Sequence, residues 1–393
     1  MKLNYYGPIA RETGYSRAAH DYLECLLTTD IDLNILPIMD GKETLLEERY
    51  HNLLSYVNRE DAKDPSWPDV IICHAIPYGC SLFLNDTQAP PPEVKRIALT
   101  TWETSKLPEE SDKELVAMFD QIWVPSQFCR YAFSHSYEKT RVVPHSIDGR
   151  FWKPKSTERN WAVFGSSTPY DPYIFYTILT WCERKNPMGL LKAYLTEFTE
   201  EDNVLLRIRT PGYNNKDIEE LVRSLRLDYL PPVEIVEEYL TERQLRDLHY
   251  KSDCYVTCAR AEGWGLGAFE AAALGKPVVA TAFSGLTDFL DDYANNRKIP
   301  WFWTPAYTPE SISNNSLEIA GLSITPTLRN DHIGIQGNQS WAEPDLGTLK
   351  GEMRDVYSEQ ASERLEEGFR ILDKYSYKKI GALMKQNLEA LFK

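Results

Sequence analysis

The sequence predicts an α/β protein with parallel strands covered on both faces. Three observations carry that expectation. Short apolar runs such as DVIIC, RIALTT, QIWV and NVLLRIR read as strands, and stretches with helical spacing lie between them. The first strand, residues 2–6, leads into a loop holding Gly7 and Gly14 and then a helix from about Tyr15, the place where a strand–loop–helix unit approaches a ligand. Residues 261–281, AEGWGLGAFEAAALGKPVVAT, read as a glycine-rich loop, a short apolar helix and a buried strand. At 393 residues the chain is long enough for two or three domains.

The stretch 261–281 organises the rest. Gly263, Gly265 and Gly267 alternate with Trp264, Leu266 and Ala268, so the backbone can turn sharply and come close to a ligand. The helix is expected to start near Leu266 or Gly267, to stop at Gly275, and to be kept from restarting by Pro277. Val278, Val279 and Ala280 then form a strand without alternation. The amides at the helix start, with the positive end of its dipole, make a seat for a phosphate or diphosphate. Glu262 and Glu270 frame that seat. A carboxylate beside a phosphate needs another task, and accepting hydrogen bonds from vicinal hydroxyls is the natural one. A capping carboxylate and a solvated helix Glu account for the same spacing.

Glu262 and Glu270 form an E-x7-E pattern within RAEGWGLGAFEAAALGKPVVAT. This string resembles the donor-site signature of family 4 glycosyltransferases, retaining enzymes of the GT-B fold. The resemblance implies two Rossmann-like domains facing across a cleft, with a C-terminal helix crossing back to the first. It implies residues 1–154 as the acceptor domain, joined by 376–393, and 155–375 as the nucleotide-sugar donor domain. It assigns Glu262 to hydroxyls of the donor sugar and Glu270 to the ribose. Gly263, Trp264, Gly265 and Leu266 become donor-binding by the same likeness.

Composition bounds the alternatives. With 42% hydrophobic and 26% charged residues the chain is that of a globular protein. Its aromatic content of 12% suits stacking on sugars or bases, although large cores use the same residues. A formal charge of −15 argues against broad contact with nucleic-acid phosphates or anionic lipid. No apolar window suggests a membrane span, and MKLNYYGPIA lacks the apolar core of a signal peptide. Seven cysteines, an odd number with no C-x-x-C spacing, fit buried thiols in a reducing cytoplasm, and a zinc site is not expected.

Along the chain, the resemblance places Gly14 and Tyr15 near the donor phosphates or acceptor, where a plain tight turn is the other account. Asp30-Ile31-Asp32 is a D-x-D triplet, but it precedes the strand LNILPI, and ligands gather at the carboxyl ends of parallel strands; it is read as a solvated loop. His74 ends the strand DVIIC, which suits either a cleft residue or a structural histidine. Glu103, in Trp102-Glu103-Thr104, stands where many family members carry His. It is a candidate base or ligand for an acceptor hydroxyl, or a loop cap. His145 falls in TRVVPHSIDGRFWKP, which resembles the family's interdomain segment, and a polar linker is expected over 151–159.

The second domain is expected to open with the strand WAVFGSS, residues 161–167. CERKNPMGLLKAYLTEF then puts Arg184 and Lys185 ahead of an amphipathic helix, and cations with free amides at a helix start suit an anion. By resemblance Lys185 neutralises the leaving diphosphate. The family arginine usual about six residues earlier is replaced by Leu179 and Thr180, so that contact is either absent or supplied elsewhere, with Arg184 as the candidate. The family reads the base near Glu237–Leu240 through backbone atoms. Residues 291–337 read as a long irregular insertion, and the chain closes on a helix with Ile380, Leu383, Met384, Leu388 and Leu391 on one face.

Together these features imply a retaining, metal-independent glycosyltransferase without a cofactor. It would move a hexose or similar sugar from a nucleotide-diphosphate donor to a hydroxyl of a glycan or other soluble acceptor. Two alternatives stay open. A modified nucleic-acid base or nucleoside as acceptor would need a basic groove, which the net charge disfavours. A non-catalytic sugar-nucleotide or glycan-binding protein would not need Glu262, Lys185 and Glu270 intact.

Overall fold

The computed structural model describes residues 1–9, 13–38, 48–58, 67–86, 90–154, 172–306, 318–319, 322–323 and 339–393. The chain forms two compact units. The first comprises Met1–Asp148, Pro305–Ser340 and Lys374–Lys393; the second comprises Gly149–Thr304 and Trp341–Asp373.

The first unit holds a six-stranded sheet made of β1 (Lys2–Gly7), β2 (Asp32–Pro37), β3 (Val70–His74), β4 (Lys95–Leu99), β5 (Gln121–Val124) and β6 (Thr140–Val142). The order is β2-β1-β3-β4-β5-β6, with every pair parallel. Helix α1 (Gly14–Leu27) returns the chain from β1 to β2. Thr13 caps it, its hydroxyl accepting from the Ser16 amide. Helices α2 (Pro77–Asp86), α3 (Glu109–Met118) and α4 (Gln127–Ala132) make the later crossovers. β1 sends its crossover to one side, toward β2, while β3 lies on its other side. The sheet therefore has its topological switch point at the carboxyl ends of β1 and β3, where ligands bind in such sheets.

The second unit repeats the plan. Its sheet contains β7 (Tyr173–Ile178), β8 (Val204–Arg209), β9 (Val233–Val236), β10 (Cys254–Thr257), β11 (Val278–Thr281) and β12 (Asn296–Ile299), ordered β12-β11-β10-β7-β8-β9 and parallel throughout. Helices α5 (Pro187–Glu197), α6 (Asn215–Leu225), α7 (Glu242–Tyr250) and α8 (Leu266–Ala273) connect the strands, with α9 (Thr287–Leu290) after β11. The switch point here lies between β7 and β10. Tyr173, Phe175, Leu206, Ile208, Val256 and Val279 form the buried centre of the sheet, and α6 packs Ile218, Leu221, Val222 and Leu225 against this core.

One expectation changes and another cannot be followed. The expected strand 161–167 lies outside the described residues, and the strand that pairs with β8 and β10 is Tyr173–Ile178, an unbroken aromatic and β-branched run. Residues 291–306 are not irregular. They hold β12, then β13 (Trp301–Pro305), which pairs with a later strand, Ser340–Pro344. Between those two lies a short antiparallel pair, β14 (Glu318–Ile319) with β15 (Leu322–Ser323), which makes Ser340–Pro344 β16.

Helices α10 (Leu346–Ser358) and α11 (Leu365–Lys374) follow, and α12 (Tyr377–Ala390) ends the chain. Helix α12 packs on α1 within the first unit, burying Ile380, Met384 and Leu388, with Leu383 and Leu391 partly covered. A Cβ on Gly381 would lie 2.3 Å from the Cys25 carbonyl oxygen, so glycine is what lets the two helices approach. Lys385 pairs with Asp30 at 2.6 Å, which occupies the first carboxylate of the D-x-D triplet at the amino edge of the sheet. Phe151 and Trp152, expected in a linker, pack on α7: Arg246 lies over the Phe151 ring and Trp152 meets His249 edge to face. Among the described residues no helix is long and apolar enough to cross a membrane. All seven cysteines are free, and only Cys182 is partly exposed.

Candidate functional site

At the second unit's switch point, the loops after β7 and β10 are stitched together. After β7 the chain makes a tight turn, Glu183–Lys185, and Asn186 enters the left-handed region at φ 54° to cap α5. The Arg260 amide donates to the Arg184 carbonyl at 2.7 Å, and the Arg260 guanidinium donates to the Glu183 carbonyl and pairs with Glu343. Arg184 Nη1 in turn donates to the Ala261 carbonyl at 2.6 Å. These crossed bonds hold the cations of one loop against the acidic residue of the other.

Lys185 Nζ lies 2.5 and 2.6 Å from the two carboxylate oxygens of Glu262, and Arg184 Nη1 lies 3.3 Å from one of them. Glu262 is only 6% exposed. Burial alone would raise its pKa, but the Lys185 and Arg184 charges outweigh that and hold the carboxyl below its usual range. The site is therefore an ionised carboxylate facing two cations, not a neutral acid.

The backbone of Glu262 is fixed from the other side by Ser284 and Gly285, just past β11. The Glu262 amide donates to Ser284 Oγ at 2.9 Å, and the Gly285 amide donates to the Glu262 carbonyl at 2.9 Å. Ser284 holds φ 65° to do so, an unusual conformation for a residue with a side chain. A Cβ on Gly285 would sit 2.1 Å from the Gly263 carbonyl oxygen. Gly265, at φ 94°, starts α8 and offers no side-chain cap, so the first-turn amides of α8 are left for a ligand or water.

Glu270 lies one turn into α8 and is 3% exposed. Its Oε2 is 3.2 Å from His249 Nε2, and His249 Nδ1 is 2.8 Å from the Tyr176 hydroxyl. This buried chain fixes the carboxylate. Spacing could not reveal it, because His249 comes from α7 and Tyr176 from β7. The Trp264 ring is buried against Phe269 and Phe289, so the side chain braces the loop from within, and any contact of this residue with a ligand falls to its backbone.

The remaining expected site residues lie in the first unit, with Tyr15, His74 and His145 grouped around Tyr22 near its own switch point. Tyr15, following β1, and His74, the last residue of β3, have ring centroids 5.6 Å apart. Tyr5 Oη is 2.6 Å from His74 Nδ1, and Tyr22 meets both His74 and His145. Burial pushes His74 down to about 3, with His145 adding to it, and burial pushes His145 down to about 3 as well. Both imidazoles are thus neutral at physiological pH, and burial keeps Tyr5 protonated. Gly14 is exposed at the start of α1, and Glu103 is half-buried on the loop after β4. Among the described residues no group of three or more His, Cys, Asp or Glu could hold a metal.

Comparison with known proteins bears on the fold. Residues 166–320, less than half of the chain, match the family model described as Glycosyl transferases group 1. Sucrose-phosphate synthase from Thermosynechococcus elongatus superposes with a TM-score of 0.66 at 14% identity, covering 100% of this chain and 99% of that one. The catalytic domain of starch synthase IV from Arabidopsis thaliana, bound to ADP and acarbose, gives 0.61 at 11% identity, with 100% and 99% covered. Anabaena Alr3699/HepE in complex with UDP and glucose also gives 0.61, at 12% identity with 99% of each covered. The fold is GT-B. No curated protein sequence matches the chain.

Proposed function

We propose that the protein is a retaining glycosyltransferase that uses a nucleotide-diphosphate sugar. One observation carries the reading: Arg184 and Lys185 converge on the buried carboxylate of Glu262 at the sheet's switch point. Two cations beside uncapped helix amides suit a diphosphate, whose charge grows as the glycosidic bond breaks. The ionised Glu262 suits the hydroxyls of the sugar. Glu270, held by His249, suits the ribose.

In this mechanism the Lys185 ammonium, the Arg184 guanidinium and the amides after Glu262 stabilise the departing diphosphate. The acceptor hydroxyl attacks the anomeric carbon from the face the diphosphate leaves, and its proton passes to the leaving phosphate. The residues that hold the charge are the chain's own, so the reading requires no metal. His74 and His145 are too weakly basic to take that proton, and we assign them, with Glu103, to binding on the acceptor side. The matched family model and the UDP and ADP complexes of proteins with this fold support the donor class. The acceptor is read as a glycan or another soluble hydroxyl compound.

The test is release of nucleoside diphosphate from a panel of nucleotide sugars. The wild type should turn over at least one, and Glu262→Ala and Lys185→Ala should each lose about 10²–10³-fold while remaining folded. Wild-type rates in both variants would refute the site.

A further inference from the structure

An aromatic group follows β12. Trp301, Phe302 and Trp303 lie on β13, and Phe283 lies just past β11. The Trp303 ring is 4.9 Å from Trp301 at 79° and 5.4 Å from Phe283 at 86°, while Trp301 and Phe283 are 4.5 Å apart. Trp301 Nε1 donates to the Ala282 carbonyl at 2.8 Å, which ties the group to the end of β11. Despite these contacts Trp303 is 57% exposed and Phe302 is 59% exposed. The Trp303 indole is held in a fixed orientation with more than half its surface open. That is preorganisation for a ligand and an unusual cost for a surface side chain.

Its position says which ligand. Strand β12 is parallel to β11, so its carboxyl end, Ile299, lies at the same sheet edge as the loops that carry Lys185 and Glu262. The chain passes Pro300 directly into β13. The partner strand β16 is bonded to the β10 loop, the Ala342 amide donating to the Arg260 carbonyl at 2.9 Å. Along this edge the order is the cationic turn after β7, Glu262 after β10, Ser284 after β11, then the aromatic group after β12. The aromatic group therefore lies on the carboxylate side of the cations, beyond the position read as the sugar end of the donor.

We propose that the exposed Trp303 indole, braced edge to face by Trp301 and Phe283, forms a stacking platform for a carbohydrate acceptor. A pyranose ring presents a face of C–H groups to the electron-rich face of an indole, and its hydroxyls stay in water at the rim. The strand's Trp-Phe-Trp-Thr-Pro sequence has no charge, which suits a neutral glycan chain better than a phosphate-bearing one. Phe283 is next to Ser284, which holds the Glu262 amide, so the platform is covalently continuous with the residue that positions the sugar carboxylate. This inference rests on the glycosyltransferase reading and names the acceptor class for it.

The experiment applies the full chain, as wild type and as Trp303→Ala, to an array of immobilised linear and branched neutral glycans. The same preparations are scored for thermal stabilisation by nucleotide sugars. The wild type should retain at least one glycan class. Trp303→Ala should lose about tenfold or more of that retention, Trp303→Phe should keep most of it, and donor stabilisation should be the same in all three. Donor stabilisation without glycan retention, or retention unchanged in Trp303→Ala, overturns the platform and leaves the donor site standing. A wild type that binds no glycan but self-associates, with a monomeric Trp303→Ala, assigns the face to a second copy and also overturns it. Absence of any donor stabilisation instead rejects the reading on which the platform depends.

Discussion

Lys185 and Glu262 meet across 77 residues of sequence, with the lysine nitrogen within 2.6 Å of both carboxylate oxygens. The pair lies where the crossovers from β7 and β10 diverge, and Arg184 completes it.

Removing the carboxylate separates stability from charge balance. Glu262→Gln leaves two cations facing a neutral amide and should cost about 1–3 kcal/mol. The pH dependence has a definite sign. Because the folded-state pKa of Glu262 is depressed, its contribution is complete above the unfolded value near 4.3 and is lost as pH falls through the folded value. Urea melts of wild type and Glu262→Gln between pH 3 and 6 should converge toward the acid end.

The first unit's histidines act in a neighbouring window. The unfolded imidazole titrates near 6.5, whereas His74 and His145 titrate at about 3 in the fold. Between those values the unfolded chain binds more protons, so stability should decline as pH falls from about 6.5 toward 3. His74→Gln should make that decline shallower. In NMR the imidazole protons of both residues should show no titration shift between pH 5 and 8.

Two glycines should respond in opposite directions to alanine. Gly285→Ala places a Cβ 2.1 Å from the Gly263 carbonyl oxygen, a backbone atom that can yield only by moving the Glu262 loop. It should destabilise by about 1–3 kcal/mol and weaken donor binding more than that loss explains. Gly351, exposed on α10 with open space around it, should gain about 0.5–1 kcal/mol as alanine. Thermal melts of the two variants check both signs.

His249 is a positioning residue for Glu270. His249→Asn shortens the buried chain from Tyr176 and should raise the donor KM about tenfold with little change in kcat. A fall in kcat at unchanged KM would remove Glu270 from the ribose.

Much of this arrangement was legible before the fold. The loop, helix and strand at 261–281 follow local rules: Gly265 and Gly275 take positive φ, α8 starts at Leu266, and β11 begins just after Pro277. Lys185 and Glu262 were each conspicuous, but no spacing pairs residues 77 apart, and the switch point between β7 and β10 is what joins them. His249 and Tyr176 left no local signal for the same reason. β12 was missed because an edge strand with Asn296, Arg297 and Lys298 has the polar composition of a loop. β13 was missed because its exposed aromatic residues follow no burial pattern.

The most direct test is thermal stabilisation by nucleotide-diphosphate sugars, compared between wild type and Lys185→Ala. A true donor binds only the folded state, so at a hundredfold excess over its Kd it should add about 2.7 kcal/mol to the wild type. The account predicts a raised Tm with at least one sugar nucleotide and its loss in Lys185→Ala. No shift with any sugar nucleotide, or the same shift in Lys185→Ala, would contradict it.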